Sequence, residues 1–258
     1  EILIGLVGSE MCIRDSNTST RAFNLVSGIG FSREGYPVNS LFSYDFRGLN
    51  EDGVPTFINE AGVLTSTDIN FQETERFDNL VYSGPSEPTD VGSFGNIFQY
   101  KGLRLNVFIT YSFGNVVRLD PVFSSIYNDL DAMPREFRNR WMTPGDERYT
   151  DVPAIVSSRQ VRNDSKLSYA YNAYNYSTAR IAKGDFIRMK EISLTYDFPK
   201  RWIKKLRMSN LALKIQATNL FLIYADKKLN GQDPEFFNSG GVATPVPKQF
   251  TLTLKIGL

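Results

Sequence analysis

Residues 103–113 read Leu-Arg-Leu-Asn-Val-Phe-Ile-Thr-Tyr-Ser-Phe, and this stretch decides the fold class. Leu103, Leu105, Val107 and Ile109 fall on alternate positions, and mostly polar residues lie between them. A period of two places successive side chains on opposite faces of a β-strand. The stretch is therefore predicted to be a strand with one apolar and one polar face. Its length, about ten residues, is what a tilted strand needs to cross a membrane.

Three further segments alternate in the same way, and a fourth does so more weakly. The three are 192–198, 211–217 and 250–258, and the weaker one is Gly92–Lys101. The pair Lys101-Gly102 separates the weaker segment from the strand at 103–113. Two-residue connections of this kind join hairpin strands whose flanking residues pair and share a face.

A change of phase occurs just before residue 192. Ile187 and Met189 are apolar on the face that becomes polar at Glu191. This pattern predicts either a β-bulge or a strand that begins near Lys190.

The connections between these strands alternate in length: 101–102 is short, 114–185 long, 199–210 short and 225–249 long. Such alternation puts the long connections at one end of the sheet, as in outer-membrane barrels with short periplasmic turns and long extracellular loops. The sequence therefore predicts an all-β chain, part of a large antiparallel transmembrane β-barrel, although a soluble sheet would also show alternation. The side chains predicted to face lipid are Leu103, Leu105, Val107, Ile109, Leu194, Leu213, Ile215, Leu252, Leu254 and Ile256.

The composition argues against several classes of function. The 258 residues carry a net charge of +1, include 13% aromatic residues and contain no histidine. A charge so close to zero argues against nucleic acid as a partner, and a high aromatic share is typical of barrels with interfacial girdles. Without histidine and with one cysteine, the chain offers neither a Cys/His zinc site nor a His-based triad. We therefore expect no enzyme activity, no metal and no cofactor.

The first residues look foreign to the rest of the chain. Met11–Ser16 resembles the translation of a transposon adapter used in sequencing libraries, and the single cysteine, Cys12, lies within it. The stretch lacks the basic start, the apolar length and the cleavage site of a signal peptide. We expect residues 1–16 to be an adapter artefact and residues 17–258 to form one incomplete barrel domain.

The upstream half gives a weaker pattern. Phe23–Phe31 and Val38–Phe46 have the composition of strands, whereas Gly48–Asp90 is rich in Gly, Pro, Asn and Asp and is predicted to be a long loop. Asp129–Trp141 is predicted to hold a short helix, with Pro134 near its first turn.

A succession of motifs fills the last part of the chain. They are Gly184-Asp-Phe-Ile-Arg-Met-Lys-Glu-Ile-Ser-Leu-Thr-Tyr-Asp-Phe-Pro199, Asn219-Leu-Phe221, Gly231-Gln-Asp-Pro-Glu235 and Pro245-Val-Pro247. In this order and spacing the sequence resembles the C-terminal end of the SusC/RagA family, the TonB-dependent outer-membrane importers of Bacteroidetes-type bacteria. Family members are longer, with an N-terminal plug and a 22-stranded barrel, so the resemblance implies that the plug and the earlier strands are missing here.

The resemblance also implies a location, partners and a cargo. Residues 17–258 would lie in the cell outer membrane, in contact with its lipid, as part of an importer for oligosaccharides or peptides. A SusD-like surface lipoprotein would bind from outside, and the TonB–ExbB–ExbD complex would act through the missing N-terminal part. The alternatives are an outer-membrane porin or adhesin without TonB coupling and, less favoured, a soluble β-sandwich that binds carbohydrate.

Three clusters allow both a functional and a purely structural interpretation. Tyr169, Tyr171, Tyr174 and Tyr176 would contact a lid partner or substrate, or else form packing or an aromatic girdle. The basic turn around Trp202 is typical of contact with lipid headgroups. The carboxylates that flank Pro234, Asp233 and Glu235, are expected to belong to a turn rather than to a catalytic pair.

Overall fold

The computed structural model describes residues 25–26, 33, 35–69, 79–122, 133–205, 207–237 and 247–257. They divide into two compact units, one from 1–87 and 115–182 and the other from 88–114 and 183–258. We call them the core unit and the sheet unit. The assignment of residues 17–258 to one domain stays a prediction; most of the long connection after residue 114 belongs to the core unit. The proposed adapter segment, 1–16, lies outside the described residues.

The core unit has short strands and two of the three fully described α-helices, and the sheet unit has the long strands and the third α-helix. In chain order the strands are β1 Ser40–Tyr44, β2 Phe46–Leu49, β3 Pro55–Ile58, β4 Leu64–Thr65, β5 Leu80–Pro85, β6 Asp90–Tyr100, β7 Leu103–Phe113, β8 Val116–Arg118, β9 Ile181–Lys183, β10 Phe186–Asp197, β11 Asn210–Ala225 and β12 Gln249–Gly257. The α-helices are α1 Ser158–Asn163, α2 Lys166–Asn175 and α3 Lys200–Lys205, and short 3₁₀ helices occupy Arg135–Asn139, Asp146–Arg148, Thr178–Arg180, Lys227–Leu229 and Pro234–Phe236. No helix within the described ranges has the length and apolar character needed to span a bilayer.

The sheet unit is a five-stranded antiparallel sheet in the order β12-β11-β10-β7-β6. All five strands predicted from alternation are present, and β11 is longer than predicted, continuing to Ala225. Within the described residues β12 and β6 are paired on one side only, so the sheet keeps two outer edges and does not close.

The turn between β6 and β7 follows the prediction. Tyr100 pairs with Leu103, and the two residues between them, Lys101 and Gly102, have φ angles of 44° and 84°. Positive φ at both central positions is the type I′ geometry, which matches the twist of the flanking strands. Glycine adopts this backbone without a steric penalty.

The change of phase in β10 is a bulge. Met189 pairs with Ile109 and Glu191 with Phe108, so Lys190 is an extra residue in β10. The extra residue keeps Ile187 and Met189 on the same face as Ile192 and Leu194. The bulge prediction is confirmed, and the alternative of a strand that begins near Lys190 is wrong, since β10 begins at Phe186.

The core unit contains three small sheets. In them β1 pairs with β5, β2-β3-β4 form a second sheet, and β8 pairs with β9. The prediction that Gly48–Asp90 is a long loop is therefore wrong. Its strands have two to six residues and are separated by turns, so loop-forming residues dominate its composition. The strand predicted at Val38–Phe46 is confirmed as β1, whereas Leu25 and Val26, the described part of Phe23–Phe31, are helical.

Aromatic residues pack the interior of the core unit. The Phe57 ring lies 6.4 Å from the Tyr44 ring and 6.0 Å from the Phe46 ring, with edge contacts in both pairs. Leu25, Val26, Phe42, Ile69, Leu80 and Val122 belong to the same buried cluster. The helix predicted within Asp129–Trp141 is present as the 3₁₀ helix Arg135–Asn139, which begins after Pro134.

Candidate functional site

The apolar face of the sheet unit is continuous from one edge to the other. Strand register places Phe98, Leu105, Leu194, Ile215 and Leu252 in one row across all five strands. A second row follows toward the short turns: Tyr100, Leu103, Tyr196, Leu213 and Leu254. The side chains predicted to face lipid therefore share one face, to which Val107, Ile109 and Ile256 also belong.

Much of this face is exposed. Leu252 exposes 69% of its surface, Leu254 57% and Ile215 51%. Leu103, Leu194 and Ile256 are also exposed, and Leu105, Val107, Ile109 and Leu213 are half-buried. Large contiguous apolar patches are rare on water-soluble proteins and indicate a surface that another apolar phase covers.

The opposite face carries polar and cationic side chains around a groove of about 390 Å³. Its charged residues are Arg104, Lys214 and Lys255, and its neutral polar lining includes Asn106, Ser193, Thr195 and Thr253. Arg104 lies 3.9 Å from the Asp197 carboxylate, and Asn106 Nδ2 donates to Glu191 Oε1 at 3.3 Å. Such a face is suited to contact with water or a polar solute, and not with hydrocarbon.

A buried ion cluster holds the connection after β11 against the polar face. Arg188 in β10 is 5% exposed, and its Nη2 lies 2.5 Å from Asp233 Oδ1 and 3.1 Å from Glu235 Oε2. Asp233 also accepts from the Glu235 backbone N–H and caps the 3₁₀ helix Pro234–Phe236. The expectation that these carboxylates belong to a turn is confirmed. Their partner, 45 residues away in sequence, was missed because nothing local to Arg188 indicates it.

The tyrosines lie on or just after helix α2, not in an open loop. Tyr171 and Tyr174 are each 1% exposed, and the Tyr174 ring packs 5.4 Å from the Phe46 ring. Burial raises the pKa of both phenols. The structure favours the packing interpretation for this pair, because a partner could not reach it without opening the interior. Tyr169 and Tyr176 are half-buried, and their predicted contacts stay a prediction.

Two arginines, Arg118 (half-buried) and Arg180 (buried), join distant segments of the core unit. Arg118 Nη2 donates to Phe42 O at 2.8 Å and to Ser43 Oγ at 3.3 Å, and burial lowers the pKa of Arg118 to about 10. Arg180 is 2% exposed and pairs with Glu136 Oε1 at 2.5 Å. Sequence reasoning missed both residues, since an isolated arginine in a polar segment gives no signal of burial.

The basic turn contains helix α3, so a six-residue helix replaces the expected turn. Lys200, Arg201, Lys204, Lys205 and Arg207 are exposed, while Ile203 is buried. Among the described side chains there is no group of three or more His, Cys, Asp or Glu residues placed to hold a metal ion.

The chain is similar to known TonB-dependent receptors. No family model matches the chain. TonB-dependent receptor P39 of Formosa agariphila is 28% identical over 167 residues, which cover 60% of this chain and 14% of the relative. TonB-dependent receptor P3 of the same organism is 24% identical over 211 residues, which cover 79% of this chain and 19% of that relative.

Solved structures show a similar fold. A structure of the RagAB peptide importer in the open-open state matches 87% of this chain and 23% of its own, with a TM-score of 0.61 and 22% identity. A second RagAB peptide transporter structure matches 89% and 25%, with a TM-score of 0.63 and 20% identity. The fold is therefore that of part of a TonB-dependent receptor barrel.

These matches confirm the resemblance and the outer-membrane location predicted from the sequence. The relatives are receptors and transporters. The chain spans only 14% and 19% of the length of the two curated relatives.

Proposed function

We propose that this chain forms wall strands and outer connections of a TonB-dependent outer-membrane importer for oligosaccharides or peptides. The sheet unit would be barrel wall, with its apolar face on lipid and its polar face on the lumen. Energy for import would come from the TonB–ExbB–ExbD complex, which acts on the whole receptor.

The observation that carries the proposal is the difference in polarity between the two faces of one sheet. Five strands of nine to sixteen residues present an apolar face that is largely exposed. On the opposite side they form a groove lined by Asn, Ser, Thr, Lys and Arg together with Ile97 and Ala212. Outer-membrane barrels alternate in this way, with lipid outside and water inside. A soluble sandwich would instead bury the apolar face against a second sheet.

The long connections support the choice of partner. They leave the sheet after β7 and after β11, and in outer-membrane barrels such connections are extracellular. We infer that the core unit meets a SusD-like lipoprotein at the cell surface, with Tyr169 and Tyr176 as candidate contacts. The relatives described as peptide importers favour peptide as the cargo.

Cysteine labelling in the full-length protein tests the orientation of the strands. Tyr149 is 89% exposed in the connection after β7, and Trp202 is 56% exposed in the connection after β10. A Tyr149→Cys variant on intact cells should react with a polymer-linked maleimide too large for porins. Trp202→Cys should react only after the outer membrane is broken. Labelling of both variants, or of Trp202→Cys alone, on intact cells would contradict the proposal.

Uptake separates the importer from an uncoupled porin or adhesin. Deletion of the full-length gene should reduce uptake of labelled peptides or oligosaccharides, and a protonophore should reduce uptake equally in the parent strain. Uptake that depends on the gene but resists the protonophore would indicate a porin without TonB coupling.

A further inference from the structure

Helix α3 is held firmly at the short-turn end of the sheet. Ile203 is its buried residue, and Ile203 O accepts from Met208 N at 3.1 Å. On either side of the helix the backbone is tied to strands: Phe198 N donates to Leu211 O at 3.0 Å, and Ser209 N to Gly257 O at 2.9 Å. The helix therefore presents its exposed side chains from a fixed position.

The exposed side of this helix is strongly cationic. Lys200, Arg201, Lys204, Lys205 and Arg207 have no ion-pair partner among the described residues. The turn between β6 and β7 adds a further cation, Lys101. It adjoins the same end, because Asp197 N donates to Gly102 O at 2.8 Å. Six cations thus gather at one end of the sheet unit, and the nearby carboxylate, Asp197, already lies beside Arg104.

Aromatic rings connect this cationic end to the apolar face. Tyr196 belongs to the apolar face, and its ring lies 4.9 Å from the Phe198 ring, which lies 6.1 Å from the Trp202 ring. Trp202 and Tyr100 are both exposed. Aromatic residues of this kind prefer the boundary between hydrocarbon and headgroups. Lysine and arginine near such a boundary place their charged ends at the headgroup level.

We propose that helix α3 and the adjoining Lys101 turn bind anionic phospholipid in the inner leaflet of the outer membrane. The cations contact the headgroup phosphates, and Trp202 lies at the headgroup level, at the boundary with the hydrocarbon. This inference rests on the proposed function, which places the short turns at the inner leaflet. Phospholipid is favoured over an acidic protein because the cations follow directly on an exposed apolar face that only acyl chains would cover.

The test compares two matched lysine pairs in the full-length receptor. K204Q/K205Q neutralises two exposed lysines before β11, and K227Q/K228Q neutralises two after β11, at the opposite end of the strand. Each protein is purified in detergent, stripped of lipid and titrated with dioleoyl-phosphatidylglycerol or dioleoyl-phosphatidylcholine. Native mass spectrometry counts the lipids that remain bound.

We expect K204Q/K205Q to weaken phosphatidylglycerol binding about fivefold for each lysine replaced, with phosphatidylcholine binding unchanged. K227Q/K228Q should bind phosphatidylglycerol as the parent does. Equal binding by all three proteins, or an equal loss in both variants, would overturn the inference. So would displacement of the lipid by millimolar inorganic phosphate, which would indicate a site for the free anion.

Two controls keep this result separate from other failures. Heat-modifiable migration on a gel confirms that each barrel is folded, and Trp202→Phe should retain more phosphatidylglycerol than Trp202→Ala.

A different result would contradict the proposed function itself, namely labelling of Trp202→Cys on intact cells. If the orientation holds and lipid selectivity is absent, the inference alone is wrong.

Discussion

Phe57 and Phe98 show how differently the two units treat the same residue type. Phe57 in β3 is completely buried, whereas Phe98 in β6 exposes 57% of its surface. The difference extends to the rest of each unit. Most buried apolar residues belong to the core unit, and the rows of exposed ones lie on the sheet unit. The core unit thus buries its apolar side chains against one another, whereas the sheet unit leaves a large apolar face without such cover.

The largest expected effect comes from exchanging this phenylalanine pair for alanine. Phe57→Ala leaves a cavity among Tyr44 and Phe46 and should destabilise the core unit by roughly 3–5 kcal/mol. Phe98→Ala should cost much less, because its side chain has few protein neighbours to lose. Hydrogen exchange in the full-length receptor measures both costs: core-unit amides report on Phe57→Ala, and sheet-unit amides report on Phe98→Ala. Similar costs at the two sites would remove the contrast between the units.

The next effect concerns the two faces of the sheet. Val107→Arg should destabilise the full-length receptor by roughly 2–4 kcal/mol if residue 107 lies near the bilayer midplane. Asn106→Arg, its neighbour on the polar face, should cost far less. Denaturant titration of the receptor in lipid vesicles gives both values. Equal costs, or the reverse order, would mean that the faces are wrongly assigned.

A smaller effect is expected where the sheet unit buries charge. Asp233→Asn removes the carboxylate closest to Arg188 and should favour opening of the connection after β11 by roughly 1–3 kcal/mol. Glu235→Gln should have less effect, since the Glu235 side chain is 45% exposed. Limited proteolysis between residues 226 and 248 measures the opening. Faster cleavage in Glu235→Gln than in Asp233→Asn would show that the buried pair does not hold the segment.

The smallest effect is a pH response at the surface of the core unit. Backbone N–H groups of Met142 and then Thr143 donate to Asp146 and lower its pKa below the ordinary value of 3.8. A lowered folded-state pKa adds stability that is present above pH 4 and is lost as the pH falls through the folded value. Hydrogen exchange at residues 142–147, corrected for intrinsic rates, should therefore accelerate below about pH 4. An Asp146→Asn variant that showed the same acceleration would contradict this origin.

The strands of the sheet unit could be predicted from the sequence because successive side chains alternate between an apolar and a polar face. Each of the ten residues predicted to face lipid lies on the apolar face, and even the phase change near Lys190 could be interpreted as a bulge. When the two faces of a strand differ in polarity, the alternation of apolar and polar residues is visible within that strand alone. The prediction of the sheet therefore depended only on local sequence.

The core unit could not be predicted in the same way. β3 buries Pro55, Thr56 and Phe57 in succession, so no alternation marks it. In α2, the buried residues Ala170, Tyr171, Ala173 and Tyr174 recur at helical spacing. The sequence therefore contained a helical signal, but the Tyr and Asn content of the segment favoured an interpretation as a contact surface. Some of the contacts in this interior join segments more than 100 residues apart, such as Phe46 with Tyr174. No local pattern encodes such contacts.

The type I′ turn at Lys101-Gly102 has a consequence for the order of assembly. It makes β6–β7 a local pairing, and β10, α3 and β11 are likewise close in sequence. β7 and β10, however, are neighbours in the sheet only after the whole of residues 114–185 has been spanned. Pairings of high contact order form slowly, because chain entropy is lost before contacts are gained. Among the pairings of the sheet unit, β7–β10 should therefore form last. The folding of the core unit, which shortens the distance between the two ends of residues 114–185, would limit the rate of this pairing.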